Sequence, residues 1–584
     1  MRWSRGGGLR AAGAIAATVG AFVCAVPAAA TPGALQIAGT PGDDQIAIDA
    51  TSADTGSYSV NGGPAQMFAA ATKVTVDAGA GNDSVVVNNP TGGLFAPTLG
   101  IVVNGGGGSD HVTSQNGLAA TGSYTLAFGS TPARLVQIGA AKQVITFNGV
   151  QGVKDVNTDA RFAYKATPAH DDVLVDDYPE YPVSSRIISA GSSNFGFSGK
   201  SSMTVDTLGT DSTPDTVKLT GHSPVPQLAI DDGSQPAEDV ITAQDFRLGG
   251  LDIANDSLVL HGSRIEGLPS SNQADVTAVT VALDGGTVGT TAAPLGVETN
   301  KLDAQTQGDA QIRIKALNFT SDLQLGGVRK PVGGGVRSAS GSVWIAHDGS
   351  APLTSLAQDA AVSGQSVYLR SDRLDLSKGH VDAGGGGAIL LPGDPWPIDL
   401  GATNDDWGSL NLSAAEVANI RTQALTIGQA TGGLVTASDA IARRSTEGLM
   451  LVSGTGFTAT GSGMLSAGKL SLIDGSATGR SWLVDPSRVS VDGRAPVPYG
   501  STPALTLHGG SGADTFAVKP SPLTAYAIDG GEPSTSPGDS LAYDAGGRTV
   551  SGDTSPPDGE IDATGVKPVT FTGIEGVSIA NSGP

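Results

Sequence analysis

Short apolar runs separated by small polar turns recur along most of the chain. In the middle, two aliphatic or aromatic positions flank one variable residue. The copies are Val343-Trp344-Ile345, Val367-Tyr368-Leu369, Ile389-Leu390-Leu391, Leu410-Asn411-Leu412, Leu425-Thr426-Ile427, Leu449-Met450-Leu451 and Leu470-Ser471-Leu472. Successive side chains on a strand face opposite ways, so each motif buries two residues on one face. The onsets lie 24, 22, 21, 15, 24 and 21 residues apart. A strand recurring every ~20–25 residues predicts the rung of a parallel β-helix, whereas an antiparallel sandwich spaces its strands roughly 8–12 residues apart. Less regular copies at Leu251-Asp252-Ile253, Leu258-Val259-Leu260, Ile312-Arg313-Ile314 and Leu323-Gln324-Leu325 start the solenoid near residue 240.

One segment breaks this period. Ser413 and Glu416 form a capping box, each side chain satisfying the other's backbone N–H, so the spacing predicts a short helix over 413–420 between two rungs. A second repeat type, rich in Gly and Asp, occupies both ends. The expected fold is therefore all-β, a parallel β-helix or β-solenoid flanked by Gly-Asp-rich β-repeat regions. The organisation reads as a signal segment over 1–30, a Gly-Asp-rich region over 31–160, a further β-repeat region over 161–240, the parallel β-helix over 241–495, and a Gly-Asp-rich region over 496–584.

Composition supports a packed chain. Gly is 84 of 584 residues, while hydrophobic residues at 39% are enough to build a core. The first thirty residues combine Arg2, Arg5 and Arg10, an apolar run from Ala11 to Val26, and Ala28-Ala29-Ala30 as a small-residue cleavage site, which reads as a secretory signal with Thr31 first in the mature chain. The only cysteine, Cys24, falls inside it, so the mature chain forms no disulfide and no Cys-based zinc site. No later run has the apolar length of a membrane span. The net charge is −23, and removal of the signal leaves 30 basic residues against 56 acidic. That field disfavours nucleic acid and anionic membranes and favours cations.

The acidic turns are where chemistry concentrates. Gly39-Thr40-Pro41-Gly42-Asp43-Asp44-Gln45-Ile46, Gly79-Ala80-Gly81-Asn82-Asp83-Ser84-Val85, Gly105-Gly106-Gly107-Gly108-Ser109-Asp110-His111-Val112 and Gly509-Gly510-Ser511-Gly512-Ala513-Asp514-Thr515-Phe516 share a Gly-x-Asp-x-apolar core, which the last three extend to Gly-x-Gly-x-Asp-x-apolar. Weaker versions contain Asp171-Asp172-Val173 and Asp215-Thr216-Val217. Glycines permit positive φ and the Asp supplies a hard oxygen, as calcium requires. Asp43, Asp44, Asn82, Asp83, Asp110 and Asp514 are the candidate calcium ligands. The other reading is a turn in which the Asp bonds to nearby backbone and only shapes the chain. Gly79–Val85, Gly105–Val112 and Gly509–Phe516 resemble the calcium-binding nonapeptide of RTX proteins, although those repeats run in tandem and here Asp44, Asp83 and Asp110 are 39 and 27 residues apart.

Ser409–Ile420, Leu425-Thr426-Ile427-Gly428 and the rungs after them resemble the β-helical shafts of large bacterial adhesins of the filamentous-haemagglutinin type. That resemblance implies a secreted or cell-surface, non-enzymatic protein, adhesin-like or structural, with an extracellular protein or polysaccharide as partner. The alternative is a carbohydrate-active enzyme, a polysaccharide lyase or hydrolase, whose acid and base would come from Asp171-Asp172, Asp176-Asp177 or Asp405-Asp406 beside Trp407.

Overall fold

A computed structural model describes residues 33–581, apart from 170, 178–183, 190–193, 208–213, 232–238, 249–255, 268–273, 316–321, 330–332, 349–352, 405 and 534–536. The signal segment and Leu251-Asp252-Ile253 lie outside the described residues.

The chain is nearly all β, and its strands pair mainly in parallel with a strand one rung away. Val343–Asp348 pairs with Ala361–Arg370, which pairs in turn with His380–Leu391. The stack continues through Ala424–Gly428, Gly448–Ser453, Lys469–Asp474, Ala504–His508 and Ala525–Asp529, every pair parallel. This is the pairing of a solenoid, in which every rung buries its inward face against its two neighbours. The register superimposes like side chains. Ile345, Leu369, Leu390, Ile427, Leu451, Leu472, Leu507 and Ile528 form one column, and all are buried. Removing one of these side chains, as in Leu472→Ala, costs about 3 kcal/mol for the lost transfer energy and the cavity left behind.

Two of the seven sequence motifs are placed differently from the expectation. Ala388, not Ile389, aligns with Val367, so the buried pair is Ala388 and Leu390 while Ile389 faces outward. Leu410-Asn411-Leu412 is on another face, pairing with Ile398–Leu400, which also pairs with Val435–Ala437. The true onsets of this column are therefore 343, 367, 388, 425, 449 and 470, and the anomalous gap of 15 disappears into one long rung between 388 and 425. That rung carries the helix Ala414–Ala418, with Ser413 as N-cap and the capping box with Glu416 formed. Glu416 also accepts the backbone N–H of Leu376 at 2.9 Å, tying the helix to the rung before it.

The two ends follow the same parallel stacking, with antiparallel hairpins inserted into it. Examples are Gln45–Ala50 with Gly56–Val60, Ala133–Ile138 with Lys142–Asn148, and Ser481–Asp485 with Arg488–Val491. Parallel pairs also bridge the compositional boundaries near 160, 240 and 495, and one hydrophobic cluster runs from Ile37 to Ile574. The changes of repeat type thus decorate a single continuous core.

Candidate functional site

The Gly-Asp turns stack at corners of the solenoid. At the first corner, the Asp83 carboxylate accepts the backbone N–H of Asp44 at 2.8 Å, and the Asp110 carboxylate accepts that of Asp83 at 2.9 Å. Gln151 closes the series by accepting the N–H of Asp110 through Oε1 at 2.7 Å. Asp44, Asp83 and Asp110 are all buried. One residue earlier, a second series runs the other way on the exposed side: Asp43 accepts from the Asn82 N–H at 2.7 Å and Asn82 from the Ser109 N–H at 2.9 Å. The two series together satisfy the backbone donors that each corner turns away from the strand ladder.

The same inner series recurs twice. Asp215 accepts from Asp171, and Asp239 from Asp215, at 2.9 and 2.8 Å. At the last corner Asp514 accepts from the Arg480 N–H, Asp539 from Asp514 at 2.6 Å, and Glu575 from Asp539 at 2.6 Å. Gln151, Asp239, Asp539 and Glu575 sit in turns without the Gly-x-Gly spacing. Their roles follow from register, not from local sequence.

The glycines have a steric reason. A Cβ on Gly106 would lie 1.8 Å from the carbonyl oxygen of Gly79 on the previous rung, and φ there is +98°. A Cβ on Gly105 would lie 2.4 Å from Asp110 Oδ2, so the carboxylate folds over a bare Cα. Gly509 serves Asp514 in the same way, at 2.5 Å.

Protonation differs along these series. Burial pushes the Asp83 carboxyl up, against the hydrogen bond from Asp44 and with the charges of Asp110 and Asp44 adding to it. Burial likewise pushes Asp514 up to about 7, with the neighbouring Asp539 and Asp474 charges contributing. Asp44 goes the other way, held low chiefly by the Thr40 backbone N–H at 2.6 Å. For calcium, one oxygen of each candidate carboxylate already serves an N–H. Among the described residues, no three His, Cys, Asp or Glu side chains gather where they could hold a metal ion. A calcium site takes six to eight oxygens, so these side chains alone do not complete one.

The acid pairs proposed for catalysis separate. Asp171 is buried in its series, whereas the next residue, Asp172, points outward. Asp176 is ion-paired with Arg186 at 2.7 Å, and Asp177 accepts the His222 N–H at 2.7 Å. Asp405 lies outside the described residues. Trp407 is largely exposed, with Arg373 over its ring at 5.8 Å.

A different feature does form a concave site. His261, Asp284, Gln305, Arg337 and Ser363 occupy matched positions on five successive rungs. They line a groove of about 840 Å³. Gly262, Gly285 and Gly286 leave its floor without side chains, and a Cβ on Gly285 would strike the Gly262 carbonyl at 2.3 Å. Asp284, the one carboxylate among the described lining residues, sits 2.8 Å from Arg329 Nη2. Sequence reasoning missed this groove because its residues are more than twenty positions apart and belong to no motif.

No family model, curated protein or solved structure matches this chain.

Proposed function

We propose that this chain is a secreted or cell-surface, non-enzymatic β-solenoid, adhesin-like or structural, whose lateral groove takes an extended, uncharged polysaccharide. The carrying observation is the column His261, Asp284, Gln305, Arg337 and Ser363, which repeats hydrogen-bonding groups at the ~4.8 Å spacing of neighbouring strands. A linear ligand laid along the axis meets a donor or acceptor on each rung, above a glycine floor shallow enough to admit a chain. The strongly acidic composition supports a neutral partner over a polyanion. Among the described lining residues there is one carboxylate, already ion-paired, where glycoside hydrolysis ordinarily uses two acids, which supports binding over turnover.

The test is retention on resins carrying neutral and uronic-acid polysaccharides, with Arg337→Ala and Gln305→Ala beside the wild type. Each substitution should weaken retention on a neutral polymer about tenfold, the equivalent of one good polar contact. Equal retention of variants and wild type would remove the groove from the proposal, and release of new reducing ends from the polymer would turn it toward the enzyme. Export is tested separately by sequencing the N-terminus of protein recovered outside the cell, where Thr31 should come first. Calcium added to chelator-treated protein should leave the melting temperature unchanged, since a ligand selective for the folded state must raise it.

A further inference from the structure

Near the N-terminal third, the solenoid interior holds a polar island among aromatic rings. Lys200 Nζ lies 2.5 Å from Asp159 Oδ2, 2.9 Å from Asp155 Oδ2 and 2.7 Å from the main-chain oxygen of Asn157. The side chains of Lys200, Asp155 and Asp159 are 0% exposed. Phe162 faces the ammonium at 4.9 Å and stacks on Phe195. The proposed function makes no use of this cluster.

Its charges do not balance in a dry site, since two carboxylates face one ammonium. Burial pushes Asp159 up to about 6, and the Asp155 charge adds to this against the pull of Lys200. Asp159 is therefore protonated more readily than a free carboxyl, and in that state Asp155 faces Lys200 as a simple pair. The backbone fixes the approach. Asp155 and Asp159 lie on the strand Gly152–Lys165, which pairs in parallel with Asn194–Phe197 and Ser202–Asp206 on the next rung. Lys200 lies between those two strands and bridges to Asp159 directly. A nitrogen hydrogen-bonded to Oδ2 stands about 3–3.5 Å from the carboxyl carbon, the separation of a near-attack arrangement.

We propose that Lys200 and Asp159 condense into an amide, an isopeptide cross-link that staples two successive rungs. Asp155 takes a proton from the ammonium and leaves a free amine, whose lone pair attacks Cγ of protonated Asp159. Gln137 Nε2, 3.1 Å from both Asp159 oxygens, donates to the oxygen on which negative charge develops. Asp155 returns its proton to the departing hydroxyl, which leaves as water, and then accepts the remaining excess proton from the new amide nitrogen. The Cγ–N bond forms and one Cγ–O bond breaks. Of the four acidic protons present at the start, two leave in water, one stays on the amide and one on Asp155. No oxidant, reductant or other reactant is required, and every buried charge in the trio is removed.

The test is peptide mapping of the purified full chain after denaturation and trypsin. Cross-linking blocks cleavage at Lys200, so the peptide Asp155–Arg161 should appear joined to Ile187–Lys218, lighter than the two together by one water. Fragmentation should place the link on Asp159. Free Asp155–Arg161 and cleavage after Lys200, in protein that melts cooperatively, would overturn the proposal. Asp155→Asn keeps the size of the side chain but cannot carry the proton, so folded variant should yield free 155–161, 187–200 and 201–218 peptides. A linked Asp155→Asn product would overturn the route through Asp155.

Discussion

The first and last corners of the solenoid use the same Gly-Asp turn and the same rung-to-rung hydrogen bonds, yet Asp44 at the first and Asp514 at the last are shifted in opposite directions. Asp44 sits at the start of its series and collects the Thr40 N–H, the Thr40 hydroxyl and the Asn61 amide. With that many donors the anion is favoured. Asp514 is in the middle of its series, with Asp539 on one side and Asp474 nearby, and its Oδ2 has no hydrogen-bond partner among the described residues. Desolvation then outweighs the single amide it accepts. A turn motif therefore specifies geometry, while position in the stack sets protonation.

The largest effect should come from the glycines that let rungs meet. Gly106→Ala forces a side chain into the backbone of the previous rung at a positive φ, and about 4 kcal/mol of stability should be lost from strain and overpacking together. Gly107→Ala meets nothing within 4 Å and should stay within about 0.5 kcal/mol of wild type. Chemical denaturation of the pair decides whether close rung approach, rather than glycine content, makes the corner. Equal losses would break that account.

The inner and outer series should differ next. Asp83→Ala removes a charged acceptor and strands the buried N–H of Asp44, a loss of about 3 kcal/mol. Asn82→Ala deletes one exposed acceptor from the Ser109 N–H, and water replaces it at a cost of about 0.5 kcal/mol.

Protonation sharpens the contrast between the two ends. Asp514 has a raised folded value, so its contribution is fully present below 3.8 and is lost as pH rises toward about 7. Asp44 has a lowered value, so its contribution is present above 3.8 and is lost as pH falls below it. Thermal unfolding from pH 3 to 8 should show Asp514→Asn removing part of the decline on the neutral side. Asp44→Asn should remove part of the decline on the acid side. A modest effect should also appear outside the core, where Trp344 stacks on Tyr368 at 5.6 Å. Trp344→Ala should cost about 1 kcal/mol, read as a modest fall in melting temperature.

Much of the fold was readable from the pattern. The alternation in Leu449-Met450-Leu451 and Leu470-Ser471-Leu472 marked rungs, and the capping box at Ser413 and Glu416 marked the helix, because both signals are local. Register was not readable. Ala388-Ile389-Leu390 and Ile389-Leu390-Leu391 both look like apolar pairs, and only pairing with Val367–Leu369 decided between them. Leu410-Asn411-Leu412 matched the motif perfectly but belonged to another face. At the candidate sites, the turns at Asp83, Asp110 and Asp514 were found. Their partners Gln151, Asp539 and Glu575 were not, since an acceptor one rung away carries no sequence signature.

By itself the sequence determined that the chain is built of short strands, that acidic turns connect them, and that those turns are rich in glycine. Those properties depend on side-chain alternation and backbone freedom, which act within a few residues. The tertiary structure alone decided that the acidic turns satisfy one another's backbone, that five polar residues align into a groove, and that Lys200 meets Asp155 and Asp159 away from water. Each of these depends on which residues the parallel register superimposes across twenty to forty positions of chain, and register is set by the packing of the whole stack.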